Sequence, residues 1–400
     1  MKILRVIASM DPSNGGPCQG IRYSIPELEK LGVSNEVVCL DDPAAPFCSA
    51  DPFPVQALGE GRGPWQYSGK LGPWLMQHLH RFDVVIVHGL WLYHSFAVNR
   101  ALNHFKKLNH SCSPKLFIMP HGMLDPYFQR AAGRKIKALR NWLYWKLIEG
   151  NVVNGADGVL FTCEQELKLA QLPFRPYSPA KELNVGYGIA EPPKSSETIL
   201  KAFYRLIPGL RNQKFLLFIS RIHEKKGVDM LIEAYAEIWK RHLNPLDTHT
   251  AKPPLLVIAG PGLNSDFGKK IRNSAASIIP KNAVFFSGML SGDEKWGAFY
   301  SCEAFILPSH QENFGIAVVE ALGCGKPVLI TDQINIYREI IRQEAGIIAK
   351  DNLAGTIKLL DDWISLSPRE KTTMGDKAFD CFLKYFSLSQ NARKLLSALQ

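Results

Sequence analysis

Apolar residues along this chain fall into two kinds of stretch. Short continuous runs of four to six positions alternate with longer segments in which apolar residues recur every three or four places. The runs read as strands buried on both faces, and the periodic segments as helices lying against them. Runs at 3–8, 36–40, 84–87, 115–119 and 158–162 enclose helical stretches such as 21–31, 72–79 and 135–148. A glycine-, proline- and serine-rich region at 186–196 reads as an interdomain joint. The pattern then restarts, with runs at 215–220, 255–259, 284–287, 304–308 and 328–331, a helix at 228–242 and a polar loop at 242–254. The alternation predicts an α/β protein of two doubly wound, Rossmann-like domains. They are expected at 1–190 and 214–384, joined by a linker at 191–213, with a cleft between them. In such sheets ligands sit beyond the carboxyl ends of the strands.

Four hundred residues suffice for two such cores. The apolar start at 1–9 is interrupted by Lys2 and Arg5 and reads as a first strand, not a signal peptide. No apolar run reaches bilayer-spanning length. The eight cysteines are scattered, with no C-x-x-C and no cluster at metal spacing, which fits free thiols in a cytoplasm. Charge changes the picture more. The net charge of +10 calls for nucleic acid, an anionic membrane or an anionic substrate. Much of it is local: 129–146 carries Arg130, Arg134, Lys135, Lys137, Arg140 and Lys146 and no acid, interleaved with Trp142, Leu143, Tyr144 and Trp145. Two readings stay open, a helix on a membrane surface and a domain helix with its aromatics turned inward.

The densest chemistry lies at 311–320. Glu312 stands just before a predicted helix N-terminus at Gly315, and Glu320 about two turns inside it. Unpaired backbone N–H groups there suit an anion, and the two carboxylates suit hydroxyls on either side of a phosphate. As a hydrolytic pair they fail, because eight residues of helix separate backbones by about 12 Å and turn them off a common face. Arg221 and Lys226 flank a loop at the end of the 215–220 strand, placed to neutralise a diphosphate. With no D-x-D in the chain, these cations and the helix dipole stand in for a metal; no metal and no cofactor are expected. Gly15 and Gly16 follow the first strand without forming a dinucleotide fingerprint or a P-loop. They suit close approach to a ligand or an ordinary tight turn. His88 and His121 each follow an apolar run and precede a glycine, as hydrogen-bonding partners for substrate hydroxyls or as turn caps.

These segments, in this order, resemble family-4 (group 1) glycosyltransferases of the GT-B fold. Glu312 and Glu320 with Asn313, Phe314 and Gly315 match the family's paired glutamates, and Arg221 with Lys226 and Gly227 its arginine–lysine loop, although Glu224 stands where proline is frequent. The segment from Pro120 through His121 to Asp125, the early Gly15–Gly16–Pro17 and His88–Gly89–Leu90–Trp91 resemble bacterial members that build exopolysaccharide and lipopolysaccharide. The resemblance implies retaining, metal-independent transfer from a nucleotide sugar to a glycan or lipid-linked acceptor, in the cytoplasm or peripherally on its membrane. It implies that Glu320 holds the ribose, Glu312 the transferred sugar, the amides near Phe314, Gly315 and Ile316 the phosphate end, and Arg221 and Lys226 the departing diphosphate. Gly16 would let its loop approach the phosphates, and His121 would face the donor sugar across a cleft that closes over it. His88, Trp91 and Asp125 are acceptor-side candidates. The segment 385–400 resembles the closing helix that returns to the first domain. The alternatives are a nucleotide-sugar epimerase of the same architecture and a basic nucleic-acid-binding module; the latter lacks a recognised motif.

Overall fold

The computed structural model describes residues 1–108, 113–130, 135–244 and 252–400. They form two compact units, Met1–Gly188 with Leu388–Gln400, and Ile189–Ser387.

Unit 1 is built on a parallel sheet of β1 (Lys2–Ile7), β2 (Ser34–Cys39), β3 (Val55–Ala57), β4 (Val84–His88), β5 (Lys115–Met119), β6 (Gly158–Phe161) and β7 (Glu182–Asn184). Their spatial order is β3-β2-β1-β4-β5-β6-β7. Chain order therefore reverses between β1 and β4, the switch point at which such sheets open a crevice. The first helix, Gly16–Lys30, starts earlier than the predicted 21, because Gly15 at φ 86° turns the chain and Pro17 sits in the first turn, where no N–H is needed. One face of the sheet is closed by the helix Leu388–Leu399: Ala392, Leu395 and Leu399 share a core with Ile3, Val84, Ile86, Phe117 and Leu160. The predicted helix 135–148 is α-helical over Lys135–Tyr144 and continues as a wider π-turn, Trp145–Glu149, with Trp145 and Glu149 buried.

Unit 2 repeats the plan with β8 (Phe215–Ile219), β9 (Leu255–Ala259), β10 (Val284–Gly288), β11 (Ala304–Leu307), β12 (Val328–Thr331) and β13 (Gly346–Ala349). All are parallel, in the order β10-β9-β8-β11-β12-β13, so the switch point falls between β8 and β11. The stretch 191–213, expected as a linker, is instead part of this unit. It holds the helix Glu197–Leu206, capped by Ser196, whose Ile199 and Phe203 are buried at helical spacing. That helix lies so close to the helix Gly292–Ser301 that a Cβ on Gly297 would stand 2.3 Å from the Ile199 carbonyl oxygen. No described helix is long and apolar enough to cross a membrane.

Candidate active site

In unit 2 the two loops at the switch point are stitched together. Ser309 Oγ and the His310 amide both donate to the Lys225 carbonyl, each at 3.0 Å. Gly227, at φ 66°, sits against the Pro308 carbonyl, where a Cβ would come within 1.9 Å of the oxygen. Only glycine permits this approach, and it carries Lys226 toward Glu312. Lys226 Nζ donates directly to Glu312 Oε2, and Lys226 is buried. Glu312 is pinned in turn: its N–H donates to the Gln333 carbonyl and its carbonyl accepts from the Asn335 N–H, both at 3.0 Å. The two groups given separate tasks by the sequence, leaving-group cation and sugar-end carboxylate, thus touch.

The helix after them runs Ile316–Gly323, with Gly315 in the left-handed region at φ 82° as its N-cap. Its first N–H groups have no side-chain cap. Phe314 is buried against Phe386, with ring centroids 5.7 Å apart, and Asn335 Nδ2 lies 3.4 Å from Asn313 Oδ1. Glu320 is half-buried and accepts from Lys295 Nζ at 2.8 Å. Lys295 comes from the helix Gly292–Ser301, and sequence reasoning missed it because only the packing of two helices brings the charges together. Arg221 is exposed just after β8 and makes no ion pair among the described residues. A cavity of about 760 Å³ also lies in this unit, but at the amino ends of β11 and β12, lined by Glu303, Lys326 and Pro327, away from this chemistry.

In unit 1 a cavity of about 590 Å³ opens at the switch point, lined by Ser9, Asn14, Asp41, Glu60, His88 and His94 among others. Gly15 is exposed, and a Cβ on Gly15 or Gly16 would meet nothing within 4 Å. The Gly16 carbonyl accepts from the Tyr187 hydroxyl at 2.6 Å. His88, at the end of β4, and His121, after β5, are brought together: His88 Nδ1 lies 3.0 Å from His121 Nε2. Burial, then the neighbouring Arg5 charge, pushes the His121 pKa down to about 3. Burial also drives His88 well below the usual histidine range and His94 to about 4, so all three rings are neutral near pH 7. His121 adopts φ 52°, and the turn is held by buried Glu166, whose carboxylate accepts from the Gly122 and Thr162 amides at 2.5 and 2.7 Å.

Two acceptor-side candidates are placed differently. Asp125 is buried and its carboxylate accepts from the Tyr127 amide at 2.8 Å, capping the turn of Tyr127–Arg130. Trp91 packs among Tyr144, Trp145 and Phe174. Cys39, Asp41 and Cys48 correct the expectation of scattered cysteines: the end of β2 and the next helix bring their ligating atoms within 4.8 Å of one another. The Asp41 oxygens already accept from Ser9 Oγ at 2.6 Å and the Met10 amide at 2.7 Å. The described cysteines are free thiols.

The basic helix combines both of its sequence readings. Trp145 is buried and Tyr144 accepts from Trp65 Nε1 at 2.6 Å, while Ile136, Leu139, Trp142, Leu143 and Leu147 are exposed beside Lys135, Lys137, Arg140 and Lys146. Arg134, counted in the same cluster, lies outside the described residues, as does most of the 242–254 loop.

A paired-carboxylate and lysine site at a helix N-terminus, on one of two doubly wound units, defines a GT-B protein. Residues 203–378 match the family "Glycosyl transferases group 1", and residues 15–180 match "Glycosyl transferase 4-like domain". The chain belongs to the group 1 glycosyltransferases. It is 31% identical over 167 residues to an uncharacterized glycosyltransferase of Methanocaldococcus jannaschii, covering 40% of this chain and 39% of that one. The chain spans less than half the length of the curated relatives it first matches. Its fold is that of Anabaena HepE, solved with UDP and glucose (TM-score 0.68, 18% identity, 100% and 99% of the two chains). It is also that of the lipopolysaccharide outer core galactosyltransferase WaaB (TM-score 0.67, 15% identity, 100% and 99%).

Proposed function

We propose that the chain transfers a sugar from a nucleoside-diphosphate donor to a glycan or lipid-linked acceptor, with retention and without a metal, in surface polysaccharide assembly. The observation that carries this is the Lys226–Glu312 contact beside the uncapped N-terminus of the Ile316–Gly323 helix. The departing diphosphate develops charge as the bond from its oxygen to the anomeric carbon breaks. Lys226, Arg221 and the helix amides near Phe314, Gly315 and Ile316 meet that charge. Glu312, relieved of Lys226 by the arriving phosphate, takes sugar hydroxyls, and Glu320 takes the ribose. The acceptor hydroxyl attacks on the face the diphosphate leaves, and its proton passes to a departing phosphate oxygen. In unit 1, Gly15 and Gly16 leave the first loop open to phosphate, and neutral His121 bonds a sugar hydroxyl. His88 supports His121. Trp91 and Asp125 shape the acceptor side through the loops they hold.

The UDP and glucose held by HepE and the lipopolysaccharide galactosyltransferase activity of WaaB favour a nucleotide sugar and a surface glycan. A thermal-shift screen against nucleotide sugars tests the reading, beginning with UDP-glucose. Stabilisation by one donor followed by its transfer supports it; isomerised donor without transfer makes the chain an epimerase. Retention of DNA with no shift from any nucleotide sugar returns it to the nucleic-acid reading. The exposed stripe of the Lys135–Tyr144 helix favours peripheral attachment to an anionic cytoplasmic membrane surface, where a lipid-linked acceptor resides.

A further inference from the structure

Arg5 is the fourth residue of β1's six and only 1% exposed, yet it pairs with no carboxylate among the described residues. A buried cation without a counter-charge is costly, so its bonds carry information about what it does. Arg5 Nε donates to Asn35 Oδ1 at 3.1 Å, and Nη1 lies 3.3 Å from His88 Nε2. Nη2 has no protein partner; Arg5, His88 and His121 together border a cavity of about 40 Å³, room for water.

These contacts fix hydrogen positions. A guanidinium only donates, so His88 Nε2 accepts and its proton resides on Nδ1. His88 Nδ1–H then donates across 3.0 Å to His121 Nε2, which leaves the His121 proton on Nδ1. His94 fastens the middle of the chain from behind: its Nε2–H donates to the His88 carbonyl at 3.0 Å. The left-handed backbone at His121 and the Glu166 clamp on Gly122 hold the last ring in place.

We propose that Arg5 and His88 are positioning residues: through two hydrogen bonds they lock the proton of His121 on Nδ1, so that its ring presents an N–H donor, never a base, to a substrate hydroxyl. The proposal rests on the glycosyltransferase reading for the identity of that hydroxyl; the lock itself is a property of unit 1. It also assigns a task to an arginine that the sequence shows only as a break in an apolar run.

Nitrogen-15 NMR of ring-labelled protein, with the His121 signals identified by comparison with His121→Gln, reads the tautomer directly. The full chain should carry the His121 proton on Nδ1 from about pH 5 to 8. Arg5→Met should mix the two tautomers and lower kcat about tenfold or more, while the affinity for nucleoside diphosphate stays unchanged. Arg5→Lys, which keeps a donor, should restore much of both signals. His88→Phe should mix the tautomers without touching Arg5, and serves if Arg5→Met does not fold. A His121 proton on Nε2 in the unaltered protein, or a tautomer unmoved by Arg5→Met or His88→Phe, overturns the proposal. A protein that transfers no sugar but shows the Nδ1 lock and its loss refutes the glycosyltransferase reading and leaves the relay standing.

Discussion

Lys226 and Glu312 stand 86 residues apart in sequence and share a direct hydrogen-bonded ion pair between Nζ and Oε2. The pair offsets two charges in a half-buried setting, so a phosphate reaching Lys226 competes with Glu312 for it. On the function proposed above, binding the phosphate and releasing the carboxylate for sugar hydroxyls become a single exchange.

Lys226→Ala should therefore lower turnover by roughly 100- to 1,000-fold, the range for losing one preorganised contact to developing charge. Glu312→Gln should instead tighten binding of the free nucleoside diphosphate, because Lys226 loses its competitor, while transfer falls. Calorimetry with nucleoside diphosphate and steady-state rates check both. A near-normal rate in Lys226→Ala would move the leaving-group role elsewhere.

Glu320→Ala should weaken nucleoside diphosphate binding about tenfold, or about 1.4 kcal/mol, if its carboxylate bonds the ribose. Lys295→Ala should have a smaller effect in the same direction, since it leaves the carboxylate present but less firmly held. Unchanged affinity in Glu320→Ala would remove the ribose role.

Gly227→Ala should cost about 1–3 kcal/mol of stability, because the residue needs φ 66° and a Cβ would strike the Pro308 carbonyl. Its urea midpoint should fall, and any protein that still folds should have a misplaced Lys226 and depressed turnover.

Replacing Lys135, Lys137 and Arg140 with glutamine should weaken sedimentation with anionic phospholipid vesicles about 100-fold, at about 1 kcal/mol per charge. Ile136→Ser with Leu139→Ser should weaken it even at high salt. Binding that ignores all five changes would make this helix only a solvated face.

Glu149 provides a pH test. Its buried carboxyl is pushed up to about 8, chiefly by burial and against hydrogen bonds from Ser95 Oγ and the Trp91 amide. In the unfolded chain the group ionises near 4.3. Between these values the folded state holds a proton that the unfolded state has lost, so this group's contribution to stability falls as pH rises, then levels above about 8. Glu149→Gln should remove that slope. Urea midpoints of the two proteins should be similar near pH 4 and favour Glu149→Gln near pH 8; parallel curves would show that Glu149 is ionised when folded.

Strands flanked by neighbours on both sides were legible because they are nearly continuous apolar runs: β1, β4, β5, β8, β9, β11 and β12 all lie within a residue or two of expectation. The edge strands β3, β7 and β13 were not foreseen. All three are partly exposed; β3 and β7 are three residues long and broken by polar side chains, and β13 is a run of only four, Gly-Ile-Ile-Ala, too short to stand out from a loop. At the candidate site, the helix start at Gly315 and the loop cation Lys226 were readable from local spacing. Lys295, Glu166 and Arg5 were not, because each acquires its partner only when separate elements pack. Arg5 shows the limit most clearly: one charge inside a buried strand reads as an interruption until His88 is seen beside it.

The Leu388–Leu399 helix gives the molecule an order of assembly. Its Leu395 and Leu399 complete a core begun by Ile3 at the other end of the sequence, and burying two leucines is worth about 3–6 kcal/mol. A ribosome making roughly 5–20 residues per second delivers that helix some 10–40 s after Gly188. Throughout that interval unit 1 waits with one flank of its sheet uncovered while unit 2 is being made, and the last residue of unit 2, Ser387, still precedes the helix that unit 1 needs. The later-made half is thus expected to finish folding first, and the nascent chain to need protection at the exposed flank of the half made earlier.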